Sequence, residues 1–389
     1  MDAASETLRV DAESGEAGLQ LTQRIAPESA TTFNSVRFWH DSRKLKVLGM
    51  GTALPGPPVS TADLLARVEK RFGVAVSRRG SRLASRLKIA TRHICRDFEA
   101  RHEVPRRGHS NPDLAAAALR AALDEAQLEV GDLTYLIGHT TSPACLMPPN
   151  IALVVDRVGF TGPYMELRQA CTGFANALVI AQGLTSVTGV KAVAIIGSET
   201  GSVYFDPQRA GEDVSQLVNL VMMGDGAAAI VVGPDDSRVG ARISSNFFGQ
   251  IGLGRPPGFT LDAGGSDEAF IECGALEFEH DLAAVRNSGP ELFYHGAAAA
   301  RTLGTGVETV DHVIPHQANG RMAELLGPFL GIEPRRVFVN AGHLGNTGSA
   351  AVWLALAELR SSLEPVASVL ALGAEATKYM FGGFRYVHG

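Results

Sequence analysis

No apolar run in the chain approaches the roughly 20 residues that span a bilayer, although 45% of its 389 residues are hydrophobic. A membrane association is therefore not expected. A basic surplus is also missing: 35 Lys and Arg against 41 Asp and Glu leave a net charge of −6. That balance argues against any general affinity for nucleic acid. Cysteine is scarce. Cys95, Cys145, Cys171 and Cys273 lie far apart, with no CxxC pair, so neither a metal site nor a disulfide framework is expected. Reduced thiols in a reducing compartment follow. The opening residues, MDAASETLRVDAESGEAG, have neither the basic n-region nor the apolar h-region of a secretory leader. A cytoplasmic protein is the expectation. The apolar content suffices for a large core, and the length suits one large domain or two ordinary ones.

Residues 1–42 are rich in Ala, Ser, Thr and acids with little apolar periodicity, which predicts a flexible N-terminal extension. From KLKVLGMGTALPG onward, apolar strands alternate with helices, the pattern of an α/β protein. The order then recurs. A helix, an acidic turn and a strand form AAAALRAALDEAQLEVGDLTYLIGHTTSP, and again HGAAAARTLGTGVETVDHVIPHQAN. MELRQACTGFANALVIA is matched by VFVNAGHLGNTGSAAVWLALA, and KAVAIIGSET by ASVLALGAEAT. The chain reads as two copies of one unit, 43–235 and 236–389, divided at the Gly-Pro-Asp-Asp turn of 233–236. Strand ends facing one way place their turns along one sheet edge, where α/β sites form. Cys171 and Asn346 occupy matching strand-to-helix turns. His316 ends a strand of the second half, opposite His139 of the first.

Each of these residues has an ordinary structural use as well. Cys171, in QACTGFANAL, precedes an apolar helix whose unpaired N–H groups and positive dipole end predict a lowered thiol pKa. A buried inert Cys is the alternative. His316, in HVIPHQANGRM, can polarise a thioester oxygen or move a proton, or be a hydrogen-bonded core histidine. Asn346, in GHLGNTGSAAV, can donate to an oxyanion without titrating, or be a turn asparagine. His343 lies close by without a matching position.

Taken together, QACTGF, GDGAAA at 224–229, PHQAN and GNTGSAA resemble the β-ketoacyl-acyl-carrier-protein synthase III-type condensing enzymes of the thiolase superfamily. They occur in that family's order and span roughly residues 45–389. The resemblance implies a thiolase fold, a five-layered αβαβα sandwich, and a homodimer. It implies a catalytic Cys171, His316 and Asn346, with the Cys171 N–H in an oxyanion hole. Members use no cofactor of their own; phosphopantetheine arrives on the substrate's acyl carrier protein. By the same resemblance Arg92 and Asn319 would lie along the pantetheine, Met147 would enter the partner's acyl pocket, and Arg321 would contact the carrier. The implied reaction is an acyltransferase step onto Cys171, then Claisen condensation with a malonyl- or β-ketoacyl-type thioester.

The chain also departs from the pattern. Relatives that start from coenzyme A carry a tryptophan before the arginine segment, whereas RVEKRFGVAVSRRGSRLASRLKIATRH has none. The helix after PHQAN lacks the family's lysines, and GAEATKYMFGG replaces a glycine-rich turn. These differences point away from the housekeeping fatty-acid initiator. They favour a specialised polyketide-type ketosynthase with a carrier-bound donor, including the joining of two chains with pyrone formation. An ester- or amide-forming acyltransferase is the alternative.

Overall fold

The computed structural model describes residues 36–98, 108–236, 239–262 and 277–389. The strands are β1 (Phe38–Asp41), β2 (Leu45–Ala53), β3 (Val59–Ser60), β4 (Thr91–Arg92), β5 (Tyr135–His139), β6 (Tyr164–Leu167), β7 (Val193–Glu199), β8 (Gly226–Pro234), β9 (Arg242–Gln250), β10 (Phe259–Asp262), β11 (Glu277–His280), β12 (His312–Pro315), β13 (Ser368–Glu375) and β14 (Met380–Val387). The helices are α1 (Thr61–Phe72), α2 (Ser77–Leu87), α3 (Asn111–Ala126), α4 (Asn150–Val158), α5 (Gly173–Thr185), α6 (Val214–Met222), α7 (Leu282–Thr302), α8 (Met322–Leu330), α9 (Ala341–Leu344) and α10 (Ala351–Arg360).

The duplication read from the sequence is visible in the topology. The first half runs β6-β5-β7-β8-β2, with β5 parallel to β6 and β7, and β8 antiparallel to β7 and β2. The second runs β12-β13-β14-β9, parallel then antiparallel in the same sequence. An isolated parallel bridge, Val313 to Val337, stands where β6 stands in the first half. The half-sheets meet at Leu45–Ile243 and Lys46–Arg242, on β2 and β9, and Val47 N donates to Ala241 O beside them.

Strand residues alternate between two sides, as a pleat requires, and the sides define the layers. Val193 and Ile195 of β7 join one core cluster with α5 and α10, while Ala194 and Ile196 face α3 and α4. Val369 and Ala371 of β13 join that same central cluster, while Leu370 and Leu372 face α7 and α8. The layers are thus α3/α4, first half-sheet, α5/α10, second half-sheet, α7/α8: a five-layered αβαβα sandwich. Helices α5 and α10 are apolar nearly all round because both of their faces meet a sheet. Helix α3 lies so close to β2 that a Cβ on Gly49 or Gly51 would sit 2.3 Å from a helix carbonyl oxygen.

Residues 1–35 of the expected extension lie outside the described residues. Its last part is not loose: Phe38–Asp41 pairs antiparallel with β9 from Gly249 to Asn246. Phe38 packs on Phe247, so an alternating apolar residue in a polar stretch suffices to add an edge strand.

Candidate active site

The two matching strand-to-helix turns and the end of β12 converge on one cavity of about 300 Å³. Cys171, His316 and Asn346 all line it, together with Thr141, Glu199, Glu375, Ala376 and Thr377. Much of the rest of the wall is apolar: Phe259, Phe278, Val285, Leu292, Leu325 and Phe329. Phe259 and Phe278 come from β10 and β11, which pack against α1 and α6, and the others from α7 and α8, outside the second half-sheet.

Cys171 follows β6 and stands two residues before α5. Cys171 is half-buried, and the helix end does not act on its sulfur as expected from the sequence. The Thr172 N–H donates to Glu375 Oε2 at 2.9 Å, and the Thr172 hydroxyl donates to the same oxygen at 2.6 Å. The Gly173 N–H donates to Ala170 O. Glu375 therefore occupies the anion position at the helix N-terminus. Burial pushes the Cys171 thiol well above its usual value, and the charges of Glu375 and Glu199 add to the effect. The expected lowering is reversed chiefly by this burial, and the carboxylate that holds the helix end adds to it.

His316 is 8% exposed, and its ring makes no hydrogen bond to a described residue at Nδ1. Burial pushes its pKa down to about 4, so it is neutral near pH 7. Its backbone N–H donates to Leu372 O of β13 at 2.7 Å, which fixes the end of β12. Gln317 ties this loop to the next one. Its Nε2 donates to Pro315 O at 2.8 Å and Phe338 O at 3.2 Å. Its Oε1 accepts from Asn340 N at 2.8 Å and Ala341 N at 3.4 Å. Asn346 is held by its backbone: its N–H donates to Met222 O, and its carbonyl accepts from Gly224 N. Its Oδ1 accepts from Gly348 N at 3.1 Å, leaving the amide N–H₂ as the side-chain donor for a ligand. Gly224, in GDGAAA, permits this approach, since a Cβ there would lie 1.9 Å from Leu344 O.

The sequence reading did not identify the two glutamates. Glu199 ends β7 and Glu375 ends β13, matching positions of the two halves. Glu199 Oε2 accepts from the N–H of Ser349 at 3.0 Å and from its hydroxyl at 2.8 Å, and Ser349 belongs to the Asn346 turn. Glu199 Oε1 accepts from Thr141 at 2.9 Å and also from Ser142. Burial raises its pKa. Each half's glutamate thus binds the helix start of the other half. The aligned strings GSET and GAEAT carried that signal in the sequence.

The remaining expected residues are placed differently. Arg92 is 0% exposed and lies outside the cavity lining; its guanidinium donates to Thr61 Oγ1 at 2.9 Å and to Val221 O. Burial lowers its pKa to about 10. It clamps β4 to α1 and α6 rather than lying along a substrate, because the helices around it exclude solvent. Asn319 accepts from Arg321 N at 2.9 Å and is not a lining residue. Arg321 lies 3.7 Å from Glu324 at the start of α8. Met147 is 85% exposed and does not reach its own chain's cavity. His139 is a core histidine: Trp353 Nε1 donates to its Nε2 at 3.2 Å, and burial lowers its pKa to about 3. His343 pairs with Glu358 at 3.2 Å. Cys273 lies outside the described residues. Among the described residues, no helix is long and apolar enough to cross a membrane.

A duplicated αβαβα sandwich, with the Cys171 turn opening on a largely apolar cavity, is the architecture of the thiolase fold. Residues 165–250 match the family model for 3-oxoacyl-[acyl-carrier-protein] synthase III, and residues 300–377 match the model for its C-terminal part. The β-ketoacyl-[acyl-carrier-protein] synthase III of Oleidesulfovibrio alaskensis is 30% identical, covering 84% of this chain and 94% of that protein. The chain belongs to the β-ketoacyl-acyl-carrier-protein synthase III family. Among solved structures it is similar to AbyA1, a tetronic acid condensing enzyme, at 27% identity and a TM-score of 0.76, covering 89% of this chain and 100% of that one. Xanthomonas campestris OleA, solved with lauric acid and lauroyl-CoA, shares the fold at 19% identity and a TM-score of 0.71, covering 89% and 99%. The chain is accordingly an acyl-transferring enzyme of the Claisen-condensing kind, a family that uses no cofactor of its own.

Proposed function

We propose that Cys171 carries the acyl group, and that His316 and Asn346 stabilise the enolate of a second, carrier-bound thioester. The observation that carries the reading is the meeting of these three side chains in one cavity whose wall is largely apolar. In the first step the Cys171 sulfur attacks the donor thioester. Its proton leaves with the departing pantetheine thiol. In the second, a malonyl-type thioester loses CO₂, or a β-ketoacyl thioester gives up its acidic α-proton to solvent water. The resulting carbanion attacks the acyl group, and Cys171 is expelled as the thiolate, which takes a proton from solvent. A neutral His316 donating from Nε2 leaves only a lone pair on its buried Nδ1. The Asn346 amide adds a second donor to the enolate oxygen, and neither group has to change charge. The Cys171 N–H serves the acyl oxyanion.

The largely apolar wall suits an acyl chain larger than acetyl, and the missing tryptophan before the arginine segment favours a carrier-bound donor over coenzyme A. The reading is a specialised polyketide-type ketosynthase of the cytoplasm, with ring closure to a pyrone one outcome when the second substrate is β-ketoacyl. Asn346 argues against ester or amide formation, which needs no enolate donor. Tyr164 on edge strand β6 and the exposed Leu146 and Met147 support a homodimer. The test is intact-protein mass spectrometry with an acyl carrier and then a malonyl or β-ketoacyl carrier. Cys171 should gain the acyl mass and lose it to a longer carrier-bound product. Wild type that stays unmodified, or Cys171→Ala that is acylated equally, overturns the proposal.

A further inference from the structure

We infer that the outer face of α2 is the docking surface for an acidic acyl carrier protein; this rests on the carrier-bound substrates proposed above. Helix α2 has the sequence SRRGSRLASRL, with four arginines and no acid, in a chain whose net charge is −6. Its inner side is small and buried: Gly80 and Ala84 pack inward, and a Cβ on Gly80 would meet Leu65 of α1 at 2.6 Å. Its outer side presents Arg78, Arg79, Arg82 and Arg86, all exposed.

Stability of the helix does not account for this stripe. Arg78, Arg82 and Arg86 follow one another at i, i+4 and i+8, where like charges repel. Arg78 and Arg79 stand in the first turn, where the helix dipole disfavours cations. Glu69 of α1 is engaged on the N–H groups of Val76 and Ser77, at 2.9 and 2.7 Å. Arg79 donates to Gly211 O. Arg86, in the last turn, suits the dipole, but Arg78 and Arg79 do not, and a face that gathers like charges fits an anionic partner arriving from outside.

The stripe also runs toward the site. Leu87 O accepts from Gly320 N at 2.9 Å, four residues past His316. Ala90 N donates to Gly342 O at 2.8 Å, and Thr91 Oγ1 to His343 O at 2.9 Å, just ahead of Asn346. Helix α8, the other element beside that loop, has no basic residue within Met322–Leu330, and its Glu324 faces both Lys88 and Arg321, the residue that caps the helix. The larger group of cations beside that loop therefore lies on α2.

The test uses a labelled holo acyl carrier protein of bacterial fatty-acid synthesis and the full-length enzyme carrying Arg78→Glu and Arg82→Glu together. Fluorescence anisotropy gives carrier affinity directly. Acylation of Cys171 is followed in parallel from the acyl carrier and from an acyl N-acetylcysteamine thioester. The expected result is a loss of carrier affinity of roughly tenfold or more, a weaker salt dependence and a raised KM for the carrier substrate. Acylation from the small thioester should be unchanged, and Arg335→Glu, on an exposed residue elsewhere, should bind as wild type does. Unchanged carrier affinity in the double variant overturns the docking surface. So does an equal loss for the small thioester. If Cys171 is acylated by neither donor while binding still depends on the arginines, the catalytic proposal fails and the docking surface stands.

Discussion

Replacing Gln317 by leucine should uncouple the two loops that carry His316 and Asn346. The side chain is wholly buried and makes four hydrogen bonds, two of them at 2.8 Å, to Pro315 O and from Asn340 N. Leucine fills nearly the same space but leaves those backbone groups without a partner. Counting only the two short bonds, at about 1–3 kcal/mol per stranded buried group, the loss is about 2–6 kcal/mol. The gain from added apolar surface is about 1–2 kcal/mol, so a net destabilisation of about 3 kcal/mol follows. A protein with about 5–15 kcal/mol of stability still folds. Urea unfolding gives the free energy, and steady-state assay of condensation should give a fall in kcat larger than any change in KM. Gln317→Glu supplies the sign check. One oxygen of the introduced carboxyl would face Pro315 O and Phe338 O, which only its protonated form can satisfy. Its folded pKa is then raised above the unfolded value of about 4.3. The stability it retains is present below that value and is lost as pH rises through the folded pKa. This variant should therefore be closer to wild type at pH 5 than at pH 8. A leucine variant within about 1 kcal/mol of wild type, with unchanged kcat, would refute the reasoning.

Two other predictions concern charge. Glu375→Gln keeps an acceptor for Thr172 but removes a negative charge that raises the Cys171 thiol. The pH midpoint for alkylation of Cys171 by iodoacetamide, read by peptide mass mapping, should move to lower pH; an unchanged or higher midpoint contradicts the charge argument. His139, with a folded pKa of about 3, stays neutral while the unfolded chain binds a proton below about 6.5. The unfolded state then holds more protons as pH falls, so wild type should lose about 2 kcal/mol from this group between pH 7 and 5. His139→Gln, which can still accept from Trp353, should lack that loss in urea titrations at the two pH values; an identical pH dependence counts against it.

Much of the fold was legible in the sequence because the pattern of strands and helices is local, and its recurrence needed only comparison of one half with the other. VFVNAGHLGNTGSAAV aligned with MELRQACTGFANAL, and the same two turns face one cavity. What stayed hidden depended on distant packing. Arg92 is expected along the pantetheine by resemblance, and only the closure of α1 and α6 over β4 makes it a buried clamp. The thiol was expected to be acidic because its helix was read alone. Its actual neighbour, Glu375, lies 204 residues along the chain (375 − 171). Phe38 and its neighbours gave too short a pattern to separate from the polar segment before them.

The exchanged glutamates have a consequence for assembly. The turn that bears Cys171 is completed by a carboxylate from the last quarter of the chain, and the turn that bears Asn346 by one from the first half. Neither turn can take its final shape on a nascent or truncated polypeptide that has only its own half. The chemical reactivity of the Cys171 thiol therefore reports on the whole molecule: the environment that sets it exists only in chains whose two halves have docked.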